Sequence, residues 1–249
     1  MLKIVTLTSN AYVRVVPGFA HLFNKFWGEN QEVTVVGYDA PRPQMPRNFR
    51  WLSLGKQEDY SWSAGVLRLC SLLDESHVLV FLEDYYLSKP VDTDLIARLY
   101  NYMLDNPEIV KIDLTDDRGK LEHTAWVDPA APTEMIMSGP ETHFQTSTQA
   151  ALWERRFLWR FLSEKESAWE FEKRGSKRII EARKRGTFDG LILGCKVPPV
   201  HYINAIGGMG NHPHVWARKY FPHWMTNELM ALDLLPGWHN EVPKPESEG

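Results

Sequence analysis

Cysteine is scarce in this chain. Cys70 and Cys195 are the two in 249 residues, and no C-x-x-C pair occurs. Neither a cysteine zinc site nor a redox motif is therefore supported. Cys70 falls in an apolar helical pattern and Cys195 follows LILG, so both read as buried reduced thiols. Long apolar runs are also missing. No window approaches about 18 uninterrupted apolar residues, so no membrane span is expected. The apolar part of MLKIVTLTSN is too short for a signal peptide, and a cytoplasmic protein is expected. Basic charge is not in excess: the formal net charge is −4, which argues against a nucleic-acid partner. Internal repeats and low-complexity linkers are lacking too. No G-x-S-x-G occurs, so serine hydrolase chemistry has no support.

What is present centres on Val78 to Leu87, VLVFLEDYYL. Five apolar residues run into Glu83-Asp84, and Tyr85 and Tyr86 follow. A short continuous apolar run ended by a polar break is the pattern of a strand buried on both faces. Carboxylates inside such a strand would be costly, so Glu83 and Asp84 belong where it emerges. In open α/β sheets ligands bind at the carboxyl ends of strands. Adjacent carboxylates there suit a hard divalent cation carrying a phosphate. The bland alternative is an acidic strand end opening a solvated loop.

The rest of the first half alternates strand and helix. KIVTL (3–7) is a predicted strand broken by Thr8-Ser9-Asn10. FAHLFNKFW follows Pro17-Gly18, puts Phe19, Leu22, Phe23 and Phe26 on one helical face and stops at Gly28. VTVVGY (33–38) is a second buried strand, ending at Asp39, and FRWLSL (49–54) a third. SWSAGVLRLCSLL (61–73) reads as a helix. A helix capped by Asp92 or Thr93 runs to Leu104, and IVKIDL (109–114) is a strand ending in Asp113, Asp116 and Asp117. Such alternation implies a mainly parallel sheet with right-handed crossovers.

The second half is less regular. Thr124–Val127 and Glu134–Met137 are short strand candidates with Pro-rich connections. Ser147–Leu162 reads as a helix carrying Trp153, Phe157 and Phe161 at i, i+4 and i+8. Ser167–Gly186 reads as a charged helix broken at Gly175. Leu191–Leu193 and Val200–Ile203 are short strands, followed by Gly207-Gly208-Met209-Gly210. Tyr220–Leu235 is a last helix, and residues 240–249 read as a disordered tail. The simplest division is one domain over 1–249, with a nucleotide-binding half (1–117) and an acceptor-shaping half (118–235).

The order KIVTLTSN, a strand ending at Asp39, WSAGVLRL, VLVFLEDYYL and a later WEFE resembles a glycosyltransferase of the GT-A fold, in the style of the family 2-like enzymes, over roughly residues 1–210. The resemblance implies an α/β fold: a GT-A-like (Rossmann-like) mixed sheet, mainly parallel, flanked by helices, with a smaller antiparallel and helical C-terminal part. It implies transfer of a sugar from a nucleotide-sugar donor to a glycan or other hydroxyl acceptor, metal-assisted and inverting. Glu83 and Asp84 are then the counterparts of the acids that hold Mn2+ or Mg2+ against the donor diphosphate, with His201 a further metal or phosphate contact. The sequence departs from the usual Asp-x-Asp, since Tyr85 and Tyr86 stand where a further acid would be. Thr8, Asn10 and Asp39 would contact base and ribose, and Arg68 a phosphate. Asp39 also suits a plain turn before Ala-Pro, and Arg68 a surface ion pair.

An inverting transfer needs a base for the acceptor hydroxyl. By the same resemblance Glu170 is the first choice and Glu172 the second. Ser167-x-x-Glu170 also spells a capping box, and Glu170 and Arg174 are spaced as an i, i+4 pair. Trp126, Trp153, Trp169, Trp216 and Trp224 are candidates for a sugar-binding groove, Trp169 favoured by its place beside Glu170. His212-Pro213-His214 lacks the partners of a metal site. The competing readings are a nucleotidyltransferase on a similar sheet, weakened because TSNAYVRVV lacks paired glycines, and a catalytically inactive nucleotide- or carbohydrate-binding module.

Overall fold

The computed structural model describes residues 2–57, 61–206 and 219–235. The Gly207–Gly210 loop, His212 to His214, Trp216 and the 240–249 tail lie outside the described residues. A nine-stranded sheet runs in the order β3-β2-β1-β4-β9-β6-β10-β8-β7. Its strands are β1 (Lys3–Leu7), β2 (Val33–Gly37), β3 (Phe49–Ser53), β4 (His77–Leu82), β6 (Ile109–Asp113), β7 (His123–Trp126), β8 (Met135–Ser138), β9 (Ala151–Glu154) and β10 (Leu191–Cys195). β9 pairs antiparallel with both β4 and β6, and β8 pairs antiparallel with both β10 and β7. β8 and β9 thus run against the other strands, giving a mixed, mainly parallel sheet. A second, two-stranded antiparallel sheet joins β5 (Tyr85–Leu87) to β11 (Tyr202–Asn204).

Helices cover both faces, which is why the central strands read as unbroken apolar runs. Successive strand residues enter opposite cores. Ile4, Leu79 and Phe81 pack with Phe19 and Phe23 of α1 (Val16–Trp27), Leu95 and Leu99 of α3 (Thr93–Asp105), and Met225 and Leu229 of α6 (His223–Ala231). Val5, Val78 and Val80 pack with Val66 and Leu69 of α2 (Trp62–Leu72), Phe157 and Phe161 of α4 (Arg155–Phe161), and Phe171 and Ile179 of α5 (Ala168–Lys184). Asp92 caps α3, its carboxylate accepting from Leu95 N–H at 2.9 Å. Both cysteines are free and buried, and burial pushes their thiols up to about 12.

The predicted Ser147–Leu162 helix is a correction. Residues 151–154 form β9, inserted between β4 and β6, and the helix begins only at Arg155. The i, i+4, i+8 aromatic spacing misled because the stack crosses the junction: Trp153 on the strand stacks on Phe157 of the helix at 5.8 Å. Glu154 caps the helix, accepting from Arg156 and Phe157 N–H. α5 is unbroken at Gly175. There the glycine admits Thr146, whose Oγ1 lies 2.7 Å from where a Cβ would sit.

Candidate active site

The sheet's parallel strands open on one end, and their carboxyl ends build a cavity of about 390 Å3. Leu7 and Leu82 floor it from β1 and β4, with Val36 from β2. Tyr12, Tyr38, Leu54 and Trp62 wall it, and Thr8, Ser9, Gln57, Glu83, Asp84 and Ser167 bring polar groups to it. An apolar chamber of this size with few polar groups is the usual form of a small-molecule site. Its far wall is held by two elements distant in sequence. Ser61 caps α2, accepting from Ala64 N–H at 3.2 Å, and also accepts from Lys165 N–H at 3.0 Å. Ser63 Oγ accepts from Glu166 N–H at 2.8 Å, and Glu166 takes Arg178 in a two-pronged ion pair at 2.8 and 2.7 Å. The turn into α5 is thereby fixed against Trp62.

Glu83 and Asp84 stand at the β4 exit, as the sequence predicts. Glu83 is buried, and no lysine or arginine pairs with either acid among the described residues. Burial pushes the Glu83 carboxyl well above the carboxylate range, and the neighbouring Asp84 charge adds to the shift. Donors from Thr8 and Ser9 offset part of it. Burial likewise raises Asp84. Two adjoining acids, one buried and one half-buried, without a counter-ion are costly as a doubly ionised pair.

Thr8 lines the cavity. Asn10 and Asp39 are exposed and form a network at its rim: Asn10 Nδ2 donates to Asp39 Oδ1 at 2.7 Å, Gln57 N–H to the same oxygen at 3.3 Å, and Asn10 N–H to Gln57 Oε1 at 2.6 Å. The Asn10 hydrogen bond, followed by backbone donors, holds Asp39 below its ordinary pKa. Arg68 lies on the exposed face of α2 and is not among the lining residues. His201 lines a separate cavity beside Arg98 and Pro132, and burial holds its imidazole below the ordinary value. The Glu83, Asp84, His201 set is therefore not brought together. Among the described residues no group of three or more His, Cys, Asp or Glu side chains is arranged to hold a metal ion.

Tyr85 and Tyr86 are buried strand residues of β5. Tyr85 donates to Thr148 O at 3.3 Å and stacks on Tyr202 at 4.2 Å, and Tyr86 donates to Val15 O at 2.9 Å. Glu170 completes the capping box: its Oε2 accepts from Ser167 N–H and Oγ at 3.0 and 3.1 Å, while Arg174 lies 3.1 Å from Oε1. The Ser167 backbone donor, before all else, lowers its pKa. Glu172 is placed differently. Its Oε1 accepts from Thr148 N–H at 2.7 Å and Thr148 Oγ1 at 2.8 Å, and the side chain lines a second cavity of about 290 Å3 with Asp113, Asp117, Arg118, Phe144 and Gln149. Thr148 also borders a small void with Leu7, Leu82 and Trp62 of the first cavity.

Among the tryptophans, Trp153 is core, Trp126 donates to Tyr102 Oη at 2.9 Å, and Trp224 packs on Phe26 at 5.7 Å. Trp169 is exposed, 6.3 Å from the Phe144 ring. Sequence reasoning missed Trp62, Gln57, Thr148, Gln149 and Arg118. For the pair 148–149 the signal was obscured by the helical reading of that stretch.

No protein-family model matches the sequence, and no curated protein matches it. The fold is similar to solved structures at low identity. A CMP:2-keto-3-deoxy-manno-octonic acid synthetase complexed with CTP matches over 93% of this chain and 99% of its own, at 12% identity and a TM-score of 0.47. A UTP-bound UGPase from Acinetobacter baumannii matches over 94% and 99%, at 9% identity and 0.45. A mannosyltransferase from Pyrobaculum calidifontis in complex with GDP-Man and Mn2+ matches over 86% of this chain but 59% of its own, at 10% identity and 0.48. Glycosyltransferases and nucleotidyltransferases thus both appear among these similar folds, and the likeness does not separate them.

Proposed function

We propose that this protein is a glycosyltransferase that uses a nucleotide-sugar donor and transfers the sugar to a hydroxyl acceptor. The carrying observation is the adjoining pair of buried Glu83 and half-buried Asp84, with no cation partner among the described residues, at the mouth of an apolar strand-end cavity. The aromatic and aliphatic walls suit a nucleobase, and the Asn10, Asp39 and Gln57 rim supplies hydrogen-bonding groups for a ribose.

The two carboxylates fit Mg2+ or Mn2+. Such ions take oxygen ligands, often from one or two carboxylates, and complete their shell with water and substrate phosphate. A bound cation would neutralise charge on the departing diphosphate. Asp84 is the principal ligand in this reading because it stands at the more open side of the pair, and Glu83 supports it. His201 is left out of the set.

For the base we place Glu172 ahead of Glu170. Both Glu170 oxygens are engaged by donors that favour the ionised form, which weakens it as a proton acceptor. Glu172 has one oxygen fixed by Thr148, and Oε2 has no hydrogen-bond partner among the described residues.

The test is a thermal-shift panel of nucleoside diphosphates and sugar nucleotides with and without Mn2+, followed by product analysis. A ligand at a hundred times its Kd stabilises by about 2.7 kcal/mol. Release of nucleoside diphosphate from a sugar nucleotide supports the proposal. Release of pyrophosphate from a nucleoside triphosphate assigns the site to a nucleotidyltransferase instead. Asp84→Ala should stay folded and lose turnover; unchanged transfer removes Asp84 from the chemistry.

A further inference from the structure

The second cavity carries information about the acceptor that the first does not. Three observations bear on it. The first is charge. Asp113 is buried between Lys111, 2.6 Å from Oδ1, and Arg118, whose Nε donates to Oδ2 at 2.7 Å. The remaining Arg118 donors are engaged as well: Nη1 reaches Ser138 Oγ at 3.2 Å and Nη2 reaches Phe144 O at 3.1 Å. Lys120 is engaged by Asp116 and Asp117 at 3.1 and 3.0 Å. Every cation lining the chamber is thus engaged, while Glu172, which also lines it, has no hydrogen-bond partner at Oε2 among the described residues. An anionic ligand would meet like charge there, which disfavours it.

The second observation is the wall. Phe144 lines the chamber with φ +56°, a conformation that favours glycine, yet a phenylalanine occupies it. Backbone held there against local preference points to a role for the side chain. The strained turn is gripped by both buried cations, Arg118 through Phe144 O and Lys111 through Ser147 O at 2.8 Å. Flat rings of this kind pack against the C–H faces of sugars. The third observation is Gln149. Its Oε1 is shut off from solvent and has no hydrogen-bond partner, and the residue lines the same chamber. An amide oxygen left unpaired in this way is costly, and a turn of the side chain toward the chamber would offer it to a ligand hydroxyl.

We propose that the chamber between Phe144, Gln149 and Glu172 binds a neutral, polyhydroxylated acceptor, a glycan end or polyol, and discriminates against phosphorylated ones. This rests on the glycosyltransferase reading for its purpose, but the binding itself can be measured without turnover. The Phe144 ring carries the sugar face, Gln149 Oε1 accepts a hydroxyl, and Glu172 Oε2 faces the hydroxyl that is to react.

The test is saturation-transfer NMR on the full chain with methyl glycosides and disaccharides, alongside the matching sugar phosphates. The variants are Phe144→Gly and Gln149→Met. Glycine adopts φ +56° without penalty, so Phe144→Gly removes the ring and relieves the backbone together. The expected result is signal from neutral sugars only, reduced several-fold in both folded variants and retained when nucleoside diphosphate fills the first cavity. Preference for the sugar phosphates overturns the proposal. So does neutral-sugar signal untouched by either variant, or the absence of any such signal. If nucleotides bind while no neutral sugar does, this inference fails and the transferase reading stands. If sugars bind here while no nucleotide binds anywhere, the transferase reading is the one that fails.

Discussion

Two strand ends in this protein present acids to separate chambers, and they are treated in opposite ways. At the end of β6, Asp113 is clasped by Lys111 and Arg118, both fully buried. At the end of β4, Glu83 and Asp84 face each other's charge with hydroxyl and backbone donors alone. A paired buried acid is part of the scaffold; here it grips the 144–147 turn. An unpaired buried acid pair costs stability unless something outside the chain neutralises it. The β6 acid therefore builds a wall, and the β4 acids are set for a ligand.

The widest separation between the two should come from Asp113→Asn. It leaves two buried cations with no carboxylate, which by precedent for broken buried pairs costs about 3–5 kcal/mol. Urea unfolding measures it. A loss under about 1 kcal/mol, the range of surface pairs, would mean that Asp113 is not structural and would erase the contrast. Lys111 fits the same picture, since burial pulls its amine down to about 8 even beside Asp113.

Asp84→Asn should act in the other direction. With folded pKa values raised, Glu83 and Asp84 keep protons that the unfolded chain has already lost. Over that window the folded protein binds more protons, so stability falls as pH rises from the ordinary carboxylate range near 4 through the raised values. Removing one charge should raise stability above neutral pH by about 1.4 kcal/mol or more, the equivalent of one pKa unit, and flatten the slope. Mn2+ should flatten the wild-type slope without mutation. Unfolding followed across pH, with and without Mn2+, reads both. A destabilised Asp84→Asn would mean that the pair is already compensated and that the two strand ends do not differ.

Tyr85→Phe probes Thr148, which Tyr85 and Glu172 both contact. It deletes the long hydrogen bond to Thr148 O, a loss of about 0.5–1.5 kcal/mol. If Thr148 positions Glu172, the pH profile of turnover should shift as well; a stability change alone would make the Tyr85 contact merely structural.

Much of this architecture is legible in the sequence because the central strands are apolar on both faces and their acids mark where each run leaves the core. KIVTL, VTVVG, HVLVFL and IVKID all form strands of the main sheet. What the sequence hides is pairing across distance. Nothing near Asp113 in a linear reading distinguishes it from Asp84, because Arg118 reaches it only through the turn at 116–120. The 147–162 stretch misleads for a related reason: its aromatic spacing fits a helix, and only insertion between β4 and β6 makes 151–154 a strand. Ser167-x-x-Glu170, by contrast, is a local pattern, and its capping box is present as the spacing predicts.

That local pattern leads to the smallest effect. Glu170 is more than a third exposed, and its pair with Arg174 is of the surface i, i+4 kind, so screening leaves it worth little. The cap contributes somewhat more, and Glu170→Ala should lower the unfolding midpoint only slightly. Its turnover should be unchanged once the protein is folded, because the carboxylate is already engaged by Ser167 and Arg174. Glu172→Gln should do the reverse. It retains an oxygen for Thr148, so stability should barely move, while loss of a general base lowers turnover by about 10²–10⁴-fold. Measured side by side for unfolding and for turnover with donor saturating, the two variants should exchange rank between the assays. If Glu170→Ala loses turnover and Glu172→Gln does not, the proton acceptor is the capping residue and the second chamber has no part in the chemistry.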